Sequence, residues 1–327
     1  MTSLSSLRLV RRVWACMAVF LCAHVLAQEY PERPIRVIVP MQAGSAGDVA
    51  MRIVALRMAP GLGSPMVLDN VLGAAGMIGS ERIARAAPDG YTIGAMGDSM
   101  LTLVPHLRPQ VHYDSLSDFT PVSMVASITS VLVVHPSVPA TSVRQLLAYA
   151  QARSMALDFA SAGVGSPQHI PMEFFRNATG IALRHIPVSG ASQAVMEVVS
   201  GRVPVMFTAL SIALPFIQDG RLRALGVAGS QRSALLPLVP TVAEAGVPGF
   251  VFTPWVGVYA PRGTPRPVVD RLNREITAAL NDLSVRQNLL AIGLEPEPST
   301  PEALAKRTAE DFIRMRDLLS AIGIKSE

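Results

Sequence analysis

The feature that most constrains this chain is a repeated order of short apolar runs, glycine-rich loops and helix-like stretches. The pattern predicts strands over 35–40, 66–69, 91–96, 129–135, 157–162, 185–188 and 203–209, most of them followed by a helix. Strands separated by helical patterns of about 10–15 residues are typical of βαβ units, in which the sheet is mainly parallel. The predicted fold class is therefore α/β.

The first 27 residues have a different character. Arg8, Arg11 and Arg12 precede an apolar run over 13–26, which ends at the small residue Ala27. A basic start, a short apolar core and a small residue at the end are typical of a secretory signal peptide. A membrane anchor is the alternative, but the run is shorter than the roughly 20 residues that span a bilayer. We expect cleavage after Ala27 and a location in the periplasm.

Removing this leader changes the charge balance. The chain has 28 basic and 24 acidic side chains, and three arginines leave with the leader, so 28 − 3 = 25 basic groups remain and the net charge is +1. No basic patch is left that would favour nucleic acid. Both cysteines, Cys16 and Cys22, lie in the leader. The exported chain therefore has no disulfide and no cysteine nucleophile, and about 300 residues supply their own core.

Motifs for catalysis are weak. The histidines of the exported chain do not stand at the i, i+4 spacing of a helical metal site, and we expect no metal and no cofactor. Ser161, Ser166 and His169 contain a hydroxyl and a base, but no third partner is evident, and hydroxyl groups in glycine loops more often cap helices. The segment "GAAGMIG" at 73–79 has the wrong spacing for a dinucleotide site, and close helix packing is the favoured interpretation.

Four loops share one arrangement, because each follows a strand and opens a helix. They lie at 43–48, 97–99, 161–169 and 189–193. In open α/β sheets such loops gather beyond the carboxyl ends of the strands, where ligands bind. Each offers free backbone N–H groups at a helix N-terminus, and these favour anions. The loops therefore predict a site that holds a carboxylate through amides, without lysine or arginine.

Five segments, in order along the chain, are distinctive: "YPERPIRVIVP", "AAPDGYTI", "FASAGVGS", "LPLVPTVAEAGVPGF" and "APRGTPRPVVDRLN". They resemble the periplasmic substrate-binding proteins of tripartite tricarboxylate transporters, the Bug or TctC family. The resemblance implies a type II-like clamshell of two α/β domains joined by two crossover strands. It also implies a small carboxylate ligand (an amino acid, a di- or tricarboxylate, or an aromatic acid), a permease of one large and one small membrane subunit, a monomer, and no catalytic activity.

Carried over by position, the resemblance and the loops together give one set of predicted ligand-binding residues. They are Ala43, Gly44, Ser45, Gly47, Asp48, Asp98, Ser99, Ser161, Ala162, Gly163, Gly165, Ser166, His169, Ser189 and Gly190. The chain departs from the family at 41–42, which often reads Phe-Pro there, and at 188–190, which often reads Tyr-Lys-Gly. Asp98 lies where small hydroxyl residues are usual, and it either meets an ammonium group or caps the following helix.

Two crossings of the chain imply domain boundaries. We expect domain 1 over 28–128 and 256–327, and domain 2 over 129–255. Trp255 lies beside the second crossing, where domain closure is expected to change its contact with solvent. Solute capture for transport is the favoured function, and the alternative is a periplasmic ligand sensor for a two-component kinase.

Overall fold

The computed structural model describes residues 30–321, so the predicted leader lies outside the described part of the chain. The described backbone forms a six-stranded and a five-stranded sheet. The first sheet contains β1 (Ile35–Val39), β2 (Met66–Asn70), β3 (Thr92–Gly97), β4 (Phe119–Ile128), β10 (Trp255–Pro261) and β11 (Leu294–Pro296). The second contains β5 (Ser130–Val134), β6 (Leu157–Ser161), β7 (Leu183–Pro187), β8 (Val205–Ala209) and β9 (Arg223–Val227).

Helices connect and cover these strands. Those before the second sheet are α1 (Ala46–Leu62), α2 (Met77–Ala84), α3 (Asp98–Thr102) and α4 (Val104–Leu107). The second sheet has α5 (Val143–Gln151), α6 (His169–Thr179), α7 (Ala191–Val199) and α8 (Leu210–Gln218). The C-terminal part adds α9 (Arg266–Asn281), α10 (Leu283–Leu290) and α11 (Pro301–Ala321). The sequence also predicts amphipathic helices over 267–280 and 301–322, which correspond to α9 and to α11, and residue 322 lies beyond the described part.

The expected sheet direction is only partly correct. The order of the first sheet is β11-β4-β10-β3-β1-β2 and that of the second is β7-β6-β8-β5-β9. Strands β1, β2 and β3 are parallel, as are β6, β7 and β8. Strands β4, β5 and β10 instead make antiparallel ladders with their neighbours. In the first sheet β10 and β11 run opposite to β1, β2, β3 and β4, and in the second β5 runs opposite to the other strands, so both sheets are mixed.

Each sheet has an apolar cluster on both faces, because successive side chains of a strand point to opposite sides. In β10, Val256 and Val258 pack with residues of α1 and α9, whereas Trp255 and Tyr259 pack on the other face. The second sheet has the same arrangement. One of its clusters also takes in Leu103, Leu107, Met315 and Leu319, from segments expected in domain 1. The boundaries at 128/129 and 255/256 remain a prediction.

The chain passes between the sheets at 128–130 and again near 252–255, and the two passages lie side by side. The Ile128 N–H donates to the Pro254 carbonyl at 2.7 Å, and the Phe252 N–H donates to the Ala228 carbonyl at 2.8 Å. These backbone bonds fix where the two sheets meet.

Helix α11 is attached to the first sheet by buried polar contacts. The Trp255 indole N–H donates to Asp311 Oδ2 at 2.7 Å, and Arg307 Nε donates to the same oxygen at 2.8 Å. Trp255 is fully buried. A side chain held in this way has no solvent contact to lose, which argues against the expectation that it reports domain closure.

Asp98 begins α3 and faces this contact. Its Oδ1 accepts the Ser99 N–H at 2.8 Å within the first turn, whereas the capping position of this helix is Gly97. Burial, with a smaller contribution from the Asp311 carboxylate, raises the pKa of Asp98 to about 7, while the Ser99 N–H, Arg307 and Arg314 oppose the shift. The phenol of Tyr259 also lies within electrostatic reach. The ionised form of Asp98 therefore destabilises the folded state.

We expect Asp98→Asn to change how stability depends on pH. The folded state holds the proton up to about pH 7, whereas the unfolded carboxyl loses it near 3.8. Stability from this group is present at low pH and is lost as the pH rises toward 7. Relative to the wild type, the variant should therefore gain at least about 1.4 kcal/mol between pH 5 and pH 8, the equivalent of one pKa unit.

Urea unfolding at the two pH values measures the difference. Asp219→Asn removes a carboxylate from an exposed position and is the control, with a pH profile like that of the wild type. If the stability of Asp98→Asn changed with pH in the same way as that of the wild type, Asp98 would not be the cause of the pH dependence.

Candidate functional site

A cavity of about 270 Å³ lies between the two sheets. Its wall comes from loops of both, at 40–42, 45–47, 72–76, 99–100, 165–168 and 189–191, together with Ala162, Ala209 and Ile212. The remaining wall residues belong to the chain crossings, at Ile128, Ser130 and Pro254. The cavity thus lies at the carboxyl ends of the parallel strands, where ligands of α/β proteins bind.

Five helices of eight residues or more begin at the cavity wall. The capping or preceding residues at their N-termini are Ser45 for α1, Gly76 for α2, Gln168 for α6, Gly190 for α7 and Ala209 for α8. The first N–H groups of a helix have no partner inside it, and the helix dipole places partial positive charge there. Five such ends place partial positive charge at the cavity, which favours an anion there, although the first N–H groups of α6 and α8 already donate to the carbonyls of Ser166 and Thr129.

The wall contains no ionisable side chain among the residues described, since every lining residue is a Gly, Ala, Ser, Gln, Pro, Met, Leu or Ile. An anion in the cavity is therefore stabilised by backbone dipoles and neutral hydrogen-bond donors. The same wall presents apolar surface from Met41, Leu72, Met100 and Ile212, which suits a short hydrocarbon chain.

The structure brings eight of the predicted residues to the cavity wall. They are Ser45, Gly47, Ser99, Ala162, Gly165, Ser166, Ser189 and Gly190. The other predicted residues lie outside the lining. They are Ala43, Gly44, Asp48, Asp98, Ser161, Gly163 and His169. The contacts of this second set show what these residues do in the fold.

Asp48 holds the first loop from behind. Its Oδ2 accepts the Gly44 N–H and Arg52 Nε, each at 2.9 Å, and its Oδ1 accepts Asn70 Nδ2 at 2.9 Å. Burial acts to raise the pKa of Asp48, but the hydrogen bonds from Arg52, Asn70 and Gly44 outweigh it and lower the pKa. The carboxylate is thus charged and fully used inside the protein. Gly44 has φ +79°, which favours glycine at this turn, and next to it Ala43 precedes the helix cap.

A serine and two histidines support the second loop in a similar way. Ser161 Oγ lies 2.5 Å from His185 Nε2 and accepts the Gly163 N–H at 3.0 Å. His169 Nδ1 accepts the Gly165 N–H at 3.3 Å. Burial, together with the nearby His185 and Arg176, lowers the pKa of His169 to about 3, so the ring is neutral and serves as an acceptor. These side chains orient the loop whose Ala162, Gly165 and Ser166 reach the wall.

Sequence reasoning missed part of the wall. Gln42, Ser130 and Gln168 line the cavity, and the segment 72–76 lines it too, although we expected close packing there. Close packing is present there as well, because an added Cβ would lie 2.5 Å from the Ile78 side chain at Gly73, 2.8 Å from Met100 at Gly76 and 2.8 Å from Pro40 at Gly79. Ala74 and Ala75 adopt φ of 47° and 55°, so the backbone at 74–75 is strained beside the cavity. The signal available for Gln42 was the departure from the family pattern at 41–42.

Residues 30–321 hold no group of His, Cys, Asp and Glu suited to bind a metal ion. Over the same span, none of the helices combines the length and apolar character needed to cross a bilayer.

The chain is similar to known proteins over most of its length. The profile of the "Tripartite tricarboxylate transporter family receptor" matches residues 50–324. Protein BugT of Bordetella pertussis is 36% identical over 320 residues, which cover 96% of this chain and 98% of BugT.

Two solved structures share the fold. The structure of R. palustris Rpa4515 with adipate has a TM-score of 0.88 and 31% identity, over 91% of this chain and 100% of that one. MatC from Rhodopseudomonas palustris with bound malate has a TM-score of 0.83 and 31% identity, over 89% of this chain and 100% of that one. These likenesses confirm the predicted α/β fold of periplasmic binding proteins, and the proteins of this family bind solutes and are not enzymes. The chain belongs to the tripartite tricarboxylate transporter receptor family, also called TctC or Bug.

Proposed function

We propose that this protein binds a small carboxylate in the cavity between its two sheets and presents it to a permease of one large and one small membrane subunit. The observation that carries the proposal is the convergence of five helix N-termini on a wall without ionisable side chains. Adipate and malate in the related structures are both carboxylates. Only malate has a hydroxyl group, so the relatives leave the rest of the ligand open.

Magnitudes support amide-based binding. One helix terminus contributes about 0.3–1 kcal/mol at an exposed site and up to ~2 when partly buried. Hydrogen bonds to a charged group add about 1.5–3 kcal/mol each. A few of these together reach the roughly −8 kcal/mol of a micromolar ligand, even after the entropic cost of association. A lysine or arginine in the wall is therefore not required.

The proposed ligand contacts are the eight predicted residues on the wall, with Gln42, Ser130 and Gln168 added. The wall has contributions from both predicted domains, 28–128 with 256–327 and 129–255. Gln42 of the first sheet lies against Gly190 of the second. Gln42 and Gly190 thus connect the two sides of the cavity, which the domains would close around the ligand.

We further propose export to the periplasm through a cleaved leader, because family members are periplasmic. The exported protein should begin at Gln28, since Ala27 is the small residue that ends the leader pattern. N-terminal sequencing of periplasmic material measures this. An intact arginine-rich leader in that material would contradict cleavage.

Carboxylates should bind and the matching amides should not. Succinate, malate and adipate are tested by calorimetry and thermal unfolding, and succinamide is the matched neutral control for succinate. A bound carboxylate should raise stability by ~2.7 kcal/mol at a hundredfold excess over the dissociation constant. The diamide should bind at least about a hundredfold more weakly, because it carries no charge for the helix ends to stabilise. Equal binding of succinate and succinamide would exclude an anion site.

Gly190→Ala should weaken carboxylate binding at least about tenfold, the equivalent of ~1.4 kcal/mol. The Gly190 backbone is extended, with φ 178°, so alanine fits it without strain. The added Cβ, however, overlaps Gln42 Oε1, so the Gln42 side chain must turn away from its place in the cavity wall. Calorimetry with the tightest-binding carboxylate of the panel gives the change in affinity.

Gly229→Ala is the control for this variant. Gly229 lies outside the cavity wall, and its added Cβ would meet Gln231 O at 3.4 Å, an ordinary contact. It should bind as the wild type does. Wild-type affinity in Gly190→Ala would show that the close approach of Gln42 and Gly190 is absent from the bound state.

A further inference from the structure

Several buried polar atoms of the cavity wall have no hydrogen-bond partner. Among residues 30–321, six buried side-chain oxygens lack a partner, and three of them belong to wall residues. These three are Gln42 Oε1, Ser130 Oγ and Gln168 Oε1. Ser130 is only 3% exposed and Gln168 only 6%. A buried polar atom without a partner keeps its full desolvation cost, so an occupant that pairs with it gains affinity.

The local structure does not account for these side chains. Gln168 precedes α6, but its side chain does not cap the helix. Ser130 begins β5 at the first crossing, where its carbonyl accepts the Ala228 N–H while its hydroxyl is left free. Gln42 follows β1 and enters from the opposite side of the cavity. Three separate elements thus bring neutral polar groups to one cavity.

The chemistry of these groups differs from that of the helix ends. A glutamine carbonyl oxygen only accepts, so it cannot pair with a carboxylate, and it needs an N–H or O–H donor from the occupant. An ammonium group would meet no carboxylate in the wall, and the positive helix ends would disfavour it. A hydroxyl group carries no charge, can donate to a glutamine oxygen and can accept from Ser130 Oγ.

We propose that the ligand is a hydroxyl-bearing carboxylate and that Gln168 and Ser130, with Gln42, select it over the hydrocarbon and ammonium analogues. The proposal rests on the proposed function, because it concerns the substituent of a carboxylate bound in the same cavity. The helix N-termini bind the carboxylate, and the three neutral side chains form hydrogen bonds with the hydroxyl group.

Three sets of acids that differ only at one carbon test this selection. The sets are succinate, malate and aspartate; glutarate, 2-hydroxyglutarate and glutamate; and adipate, 2-hydroxyadipate and 2-aminoadipate. In the set whose length fits the cavity, the hydroxy acid should bind at least about tenfold more tightly than both analogues, since they leave the buried oxygens unpaired. Calorimetry on the full exported chain gives the ratios.

Variants assign the selection to residues. Gln168→Met removes the amide at nearly constant length, and Ser130→Ala removes the hydroxyl. Each should reduce the preference for the hydroxy acid to less than about threefold, because the variant lowers the affinity of the hydroxy acid by more than it changes that of the hydrocarbon acid. Ser115→Ala is the matched control, because Ser115 Oγ is also buried without a partner but lies outside the wall. It should keep the wild-type ratio.

The outcomes separate the two proposals. Binding of none of the nine acids would overturn carboxylate capture, and this inference with it. Tight binding with equal affinity for the hydroxy and hydrocarbon acids would leave the proposed function intact and overturn the inference alone, as would tightest binding of the amino acids. A wild-type ratio in both variants would refute the role of Gln168 and Ser130. The wild-type ratios decide the matter even where a variant does not fold.

Discussion

The backbone bonds between the two chain crossings are the constraint on which the rest of the structure depends. The Ile128 N–H binds the Pro254 carbonyl of the other crossing, while the Leu210 and Ala228 N–H groups bind the carbonyls of Thr129 and Ser130 and so attach the first crossing to the second sheet. These bonds connect the sheets at one narrow place. The carboxyl ends of β1 and β3 therefore face those of β6 and β8 across the same gap, and every loop that follows them opens into one cavity.

Charge in this protein is arranged behind the cavity rather than in it. Asp48 uses its carboxylate on Gly44, Arg52 and Asn70, and His169 is neutral where it accepts from Gly165. Groups of this kind hold a loop in one conformation before a ligand binds, so the loss of conformational entropy on binding is smaller. The wall itself presents amides and hydroxyls whose direction is already fixed by the helices that begin there.

The sequence predicts the position of the site better than it predicts the role of each residue. An apolar run followed by Gly and Ser locates Ser45, Gly47 and Gly165, because ligands of α/β sheets bind at the loops that follow buried strands. Asp48 was assigned to the ligand on the same grounds, since a residue in the first turn of a helix can face either the cavity or its own loop. Gln42 and Gln168 have no periodicity that marks them, and only the fold brings them together. The antiparallel strands were missed because local patterns do not reveal the direction in which a chain re-enters a sheet.

A wall without Asp, Glu, Lys, Arg or His among its described residues has a consequence for proton balance. Since the wall has no group to titrate, capture neither takes up nor releases protons there, and the solute alone sets that part of the pH dependence. A weak acid loses half of its anionic form when the surroundings reach its own pKa, whereas a stronger acid stays ionised. If the protein captures a carboxylate as proposed, the strength of the acid therefore decides which solutes are bound at a given pH, without a pH-sensing residue in the cavity wall.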